Sequence, residues 1–283
     1  MNFKYNLEDY KKIPGLCRDW EEDPFLVPVF FEKECLIHFF YNNNYECRLC
    51  SETYGSISDK DNNFYTPFGI NKNRKIVFWL GDLKELPNRE QKMLIPFNIN
   101  SDHDIISEFY DAQIKAIFTE PVKEVDLLLQ RNKINNKFNF FIFKDVENID
   151  ILFEKCSGYK KVMFNNEYDF KHIISILNED LIESINLDNI RKKINNLNKD
   201  KNEFGSIKLF EKYILDNYDA EKDLFNSYYV LFYLRIWADH REAKSKLYDS
   251  INRIGLTTNN SYEEIYVKLI DELFKTNEKI LNL

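Results

Sequence analysis

The sequence predicts an α+β fold in two parts, a mixed α/β N-terminal domain over residues 1–160 and an all-α domain over residues 161–283. Three observations carry that division. From Phe25 to about Phe143, short apolar and aromatic runs alternate with polar turns. After about Asn165 the strand signals nearly vanish. The rest of the chain consists of long amphipathic segments with capping residues at their starts. At 283 residues, 44% hydrophobic and 16% aromatic, the chain holds enough apolar material for two packed cores.

Taken in order, FLVPVFF and KIVFWLGDL read as strands, being short, β-branched or aromatic, and bounded by Pro, Asn or Gly. KECLIHFFY and SEFYDAQIKAIF have helical spacing, and Ser107 with Glu108 suits a helix start after the polar NSDHD. VKEVDLLLQRNKI predicts another helix, and KFNFFIF a closing strand. A first long helix is expected over 168–198, its stripe formed by Phe170, Ile173, Ile174, Leu177, Leu181, Ile182 and Ile185. The second is GSIKLFEKYIL, with Ser206 as cap after Gly205. The third spans 221–254 and stops at Gly255. The fourth opens at Ser261, which forms a capping box with Glu264. Four helices joined by short polar connections predict a compact bundle.

Composition narrows the function classes. Only 7 Gly and 7 Pro interrupt the chain, which leaves no Gly-rich phosphate loop, and no serine elbow, dinucleotide fingerprint or paired zinc motif is found. The net charge of -8 disfavours broad non-specific binding of polyanions and leaves room for a local basic site. The most basic long stretch is 191–212, with Arg191, Lys192, Lys193, Lys199, Lys201, Lys208 and Lys212. MNFKYNLEDYKK has no apolar leader core, and no later run approaches a membrane span. A cytoplasmic protein with no membrane partner is expected, its Cys17, Cys35, Cys47, Cys50 and Cys156 reduced.

The chemistry concentrates in YYVLFYLRIWADHREAKSKL. Arg235 follows an almost wholly apolar run, so its charge demands a partner, water at a cleft or an anionic ligand. Asp239, four residues on, shares its helix face and can orient the guanidinium. His240 comes one residue later, a rotation of about 140° beyond a full turn from Arg235, so the two flank a groove. Arg241 adds a second fixed charge.

Arg-x4-His near the middle of a long helix, in an all-helical C-terminal domain, resembles the HEPN superfamily. LRIWADHR, with GDLKELPNREQ and the nearby Asn98 and Ile99, also looks like a group of uncharacterised bacterial proteins and extends the likeness over most of the chain. The resemblance implies a HEPN-like four-helix bundle acting as a metal-independent endoribonuclease, with no cofactor. Arg235 and His240 would be catalytic, Asp239 and Arg241 supporting, and Lys244 a contact to RNA. It further implies a homodimer, or pairing with a partner protein of the same system, and an effector role in bacterial defence or growth arrest, the N-terminal domain serving as sensor or partner-binding part. The alternative is a non-catalytic HEPN-like protein that dimerises, binds a partner or binds RNA.

Other residues read more plainly. Cys47 and Cys50 form a single C-x2-C, with Cys35 and Cys17 upstream, where structural zinc usually needs two such pairs. His38 in IHFF reads as a helix-face residue. His103, between Asp102 and Asp104, reads as part of an Asx-type turn in preference to a metal ligand. His172 reads as structural. In GDLKELPNREQ, a turn at Asp82 and a helix opened by Pro87 explain the letters without a ligand.

Overall fold

A computed structural model describes residues 2–16, 24–61, 63–144, 159, 161–194, 204–240 and 244–283. Two compact units emerge, Met1–Val122 and Lys123–Leu283. The division falls well before residue 160, because the helix opening the second unit sends Leu127, Ile134 and Phe138 into the helical core.

The first unit is built on an antiparallel sheet of five strands: β1 (Pro28–Phe31), β2 (Tyr45–Leu49), β3 (Tyr54–Asp59), β4 (Tyr65–Ile70) and β5 (Ile76–Trp79), in the order β1-β5-β4-β3-β2. β1 and β5 are buried at every position, as their unbroken apolar letters require. Phe31, Phe78 and Phe68 meet edge-on or tilted at 5.4 and 5.8 Å, which fixes their register from the inside. Around the sheet run α1 (Leu7–Lys11), α2 (Ile37–Tyr41), α3 (Leu80–Glu85), α4 (Asn88–Leu94) and α5 (Glu108–Lys115). Ser107 caps α5, its hydroxyl accepting from the Tyr110 amide.

The residues of the GDLKELPNREQ likeness have structural work here. Gly81 lies so close under the ring of Phe25 that any Cβ would clash with it. KIVFWLGDL accordingly leaves the sheet at Trp79 and turns into α3. Tyr45 donates to Glu90 at 2.6 Å, and Gln91 donates to the Leu86 carbonyl at 2.7 Å. Asn98 and Ile99 both donate to the Phe30 carbonyl at 2.9 Å, closing the free edge of β1.

The second unit contains α6 (Lys123–Phe138), α7 (Glu167–Asn178), a π-helical turn (Glu179–Glu183), α8 (Leu187–Lys193), α9 (Ser206–Asn217), α10 (Asn226–Asp239), α11 (Lys244–Arg253) and α12 (Tyr262–Asn282). α12 packs along α6 and α10, and α10 along α7 and α11. Tyr228, Leu231, Leu234, Tyr266 and Leu269 form the fully buried heart, each leucine contributing roughly 1.5–3 kcal/mol.

Four expectations change. KFNFFIF forms no strand beyond a single antiparallel bridge of Phe143 with Ile185. α6 runs through Phe138, and Asn135 then accepts from the amides of Ile142 and Phe143 and donates to the Phe143 carbonyl, satisfying the Phe143 groups that the bridge leaves open. The helix expected over 168–198 breaks after the π turn, where Asn186 caps α8. At α9 the cap is Gly205 and Ser206 is the first helical residue. The helix expected over 221–254 is two: the chain leaves the helical conformation at His240, and α11 returns along α10, so that Asn226 reaches Arg253 and Tyr233 reaches Lys246. The Ser261–Glu264 capping box and the stop at Gly255, φ +76°, stand where the sequence puts them. Among the described residues no helix is long and apolar enough to cross a membrane.

Candidate functional site

The Arg235 motif occupies the end of α10, not the middle of a helix. Arg235 pairs with Asp239, as the i to i+4 spacing requires, and the two side chains remain 29% and 44% exposed. His240 follows as the C-cap, in extended conformation, with its amide donating to the Ile236 carbonyl at 3.1 Å. It is exposed. The structure thus joins Arg235 to Asp239 and sets His240 where the chain turns away from the helix. Arg241 lies outside the described residues, as do 195–203 of the basic stretch.

Beside this helix end lies a group of side chains that periodicity alone does not reveal. Trp237, on the turn between Arg235 and His240, packs against Tyr262 with centroids 6.1 Å apart and planes 23° from parallel. Phe170 stacks on Tyr262 at 5.3 Å, and the Lys171 ammonium sits 4.6 Å over the Trp237 ring. Tyr262 donates to Glu167 at 3.1 Å. The Lys171 hydrogen bond holds the Glu167 carboxyl below its usual range, helped by Tyr262 and by the charge of Lys244. Burial, then the bond to Glu167, pushes the Tyr262 phenol up to about 12. Lys244, exposed at the start of α11, therefore belongs to the same neighbourhood. The sequence shows members of this group separately, Phe170 in a helix stripe, the indole inside LRIWADHR and Lys244 as an expected RNA contact, without showing that they meet.

An exposed imidazole can take and return protons, and a guanidinium can bind phosphate oxygens bidentately once its own carboxylate partner yields. Trp237 and Phe170 are buried, so this group presents Tyr262, Lys171 and Lys244 to the surface. Cations beside a partly exposed aromatic ring suit single-stranded nucleic acid.

The remaining candidates resolve into structure. Among the described residues no group of three His, Cys, Asp or Glu could hold a metal ion. Cys35 is buried, Cys47 half-buried and Cys50 exposed; Cys17 and Cys156 lie outside the described residues. His38 meets Asn42 at 3.1 Å on the face of α2, and His172 is exposed on α7. His103 sits in a turn at φ +63°, where Asp102 accepts from the Asp104 amide at 3.1 Å. Its Nδ1 lies 2.7 Å from the buried Asp9 carboxylate. Ser101 completes the group but donates its hydroxyl to Asp9, so Ser101, His103 and Asp9 do not form a nucleophile relay. Burial raises the Asp9 carboxyl, yet hydrogen bonds from Ser101, His103 and Lys12 outweigh it and leave it below its ordinary value.

Comparison of the chain with protein-family models, with curated proteins and with solved structures returns no match.

Proposed function

We propose that the helical unit is a HEPN-like domain acting on RNA, and that the chain is a metal-independent endoribonuclease effector of bacterial defence or growth arrest. One observation supports this reading above others: the exposed His240 stands one residue past the Arg235–Asp239 pair, at a helix end bordered by Trp237, Tyr262, Lys171 and Lys244.

In this reading a ribose 2′-hydroxyl attacks the adjacent phosphorus and loses its proton. The P–O2′ bond forms, the P–O5′ bond breaks, and the 5′ oxygen takes up a proton, leaving a 2′,3′-cyclic phosphate. His240 serves one of these proton transfers, and Arg235 stabilises the charge gathering on the phosphoryl oxygens, with Asp239 orienting it and Arg241, next to His240 in sequence, as a second supporting charge. Lys244 holds the strand. Two copies, or one copy and a partner protein of the same system, would bring two such sets to one cleft. The sheet unit is then the sensor or partner-binding part of a cytoplasmic protein.

A second reading has its own support. Arg235 already has a carboxylate partner, which suits a domain that dimerises or binds RNA without cutting it. Cleavage of mixed RNA in EDTA separates the two. The parent protein is expected to leave cyclic-phosphate ends, and folded His240→Ala and Arg235→Ala variants to lose about 10²–10⁴ in rate. Equal cleavage by all three proteins, or binding that persists in His240→Ala while none of them cuts, removes the catalytic assignment.

A further inference from the structure

Between α11, the turn after Gly255 and the start of α12 lies a cavity of about 360 Å³ whose lining includes Asn165, Tyr248, Thr258, Asn259, Ser261 and Tyr262. We infer that this cavity receives an unpaired nucleobase of a bound RNA strand. The inference rests on the RNA reading above and names a subsite for it.

Charge argues first. The lining holds one ionisable carboxylate, Glu264, and no Lys or Arg. Glu264 is committed to the capping box, accepting from the Ser261 amide at 2.7 Å and the Ser261 hydroxyl at 3.1 Å. Three of the first four amides of α12 are also taken: Tyr262 donates to Asn165 at 2.9 Å, Glu264 to the Ser261 hydroxyl at 3.2 Å, and Ile265 to the Ser261 carbonyl at 3.0 Å. A phosphate therefore finds no cation in the lining and a helix terminus that is largely occupied. A neutral ligand with donors and acceptors on its edge finds the Asn259 carboxamide and the Thr258 and Tyr248 hydroxyls in the lining.

Shape and stacking argue next. The volume lies at the small end of the range for small-molecule sites, roughly 300–1,000 Å³. Tyr248, in the wall, is 45% exposed and offers its ring for stacking. Asn259 is exposed, and a carboxamide reads a base edge through paired donor and acceptor.

Position completes the case. Tyr262 forms the wall on one side and packs on Trp237 on the other, so the cavity adjoins the end of α10. Lys244 and Tyr248 are four residues apart on α11 and share a face, which sets a phosphate-binding charge beside the base-binding ring.

The test uses the full chain, a labelled 2′-O-methyl oligoribonucleotide that cannot be cut, and its cleavable ribose counterpart. Tyr248→Ala, Asn259→Ala and the cavity-filling Thr258→Trp are expected to weaken binding about 5- to 100-fold. Cleavage at saturating RNA should stay within about twofold of the parent, and Tyr248→Phe should restore affinity, since stacking needs the ring and not the hydroxyl. Unchanged affinity in all three variants, with a parent that binds and cuts, overturns the subsite and leaves the RNA reading intact. If the parent binds no oligonucleotide, saturation-transfer NMR with the four ribonucleosides reads the cavity directly. Transfer abolished by Thr258→Trp supports the base site and places the failure in the RNA reading; no transfer from any nucleoside overturns the base site.

Discussion

Arg131 donates through Nη1 to the backbone carbonyl of Asp180 at 2.6 Å, and the two side chains, 3.5 Å apart, are only 1% and 4% exposed. A charged pair that deep is held by residues from three places in the chain. Arg131 comes from α6, Asp180 from the π turn, and Tyr159 donates to the Asp180 carboxylate at 2.7 Å. The pair ties α6 to the irregular turn that ends α7.

Removing one partner of a buried pair is costly. Arg131→Met is expected to cost about 3–5 kcal/mol, because Asp180, 4% exposed, loses the Arg131 charge and the hydrogen bond to its carbonyl without reaching water. Urea unfolding followed by circular dichroism measures it. A loss under about 1 kcal/mol would falsify the isolation of the pair from solvent.

Asp82 sets a pH dependence. Burial, with a smaller push from Glu85, raises its carboxyl from 3.8 to about 6. The folded state thus takes up a proton more readily than the unfolded chain, so this group opposes folding above about 6 and the penalty fades as pH falls toward 3.8. Solvent screening at a half-exposed carboxyl limits the effect to about 1 kcal/mol. Asp82→Asn should therefore raise the melting temperature at neutral pH and leave it unchanged at acid pH; a gain equal at both would sink this assignment.

The Arg235–Asp239 pair makes a separable claim. Asp239→Asn frees the guanidinium while costing no more than about 0.5 kcal/mol of stability, the usual value of an exposed i to i+4 pair. RNA affinity, read by fluorescence anisotropy at low salt, should fall several-fold, because Asp239 orients Arg235 toward the phosphate. A rise would mean that Asp239 competes with the phosphate for the guanidinium.

Ser261→Ala removes one hydroxyl that both accepts from the Glu264 amide and donates to its carboxylate. About 1 kcal/mol should be lost in thermal unfolding. Glycine at the same position should recover most of it, because a cap glycine leaves the terminal amides open to water.

Local features were legible in the letters. Ser107, the Ser261–Glu264 box and Gly255 act within one turn of their own position, so residue type suffices to find them. β1 and β5 are buried on both faces and show as unbroken apolar runs. β2 and β3 were not visible, because they bury only alternate residues and fill the other positions with Glu46, Arg48, Ser56 and Ser58, a pattern that reads as polar loop.

By itself the sequence determined the α+β class, the apolar stripes, the caps at Ser107 and Ser261 and the i to i+4 pairing of Arg235 with Asp239, all set by propensity and spacing along the chain. Tertiary structure alone decided that α6 joins the helical core, that the motif helix ends at His240, and that Tyr262 packs against Trp237 beside Lys171. These depend on which distant surfaces exclude water together, and hydrophobic burial carries no direction along the sequence, so only the folded chain chooses among them.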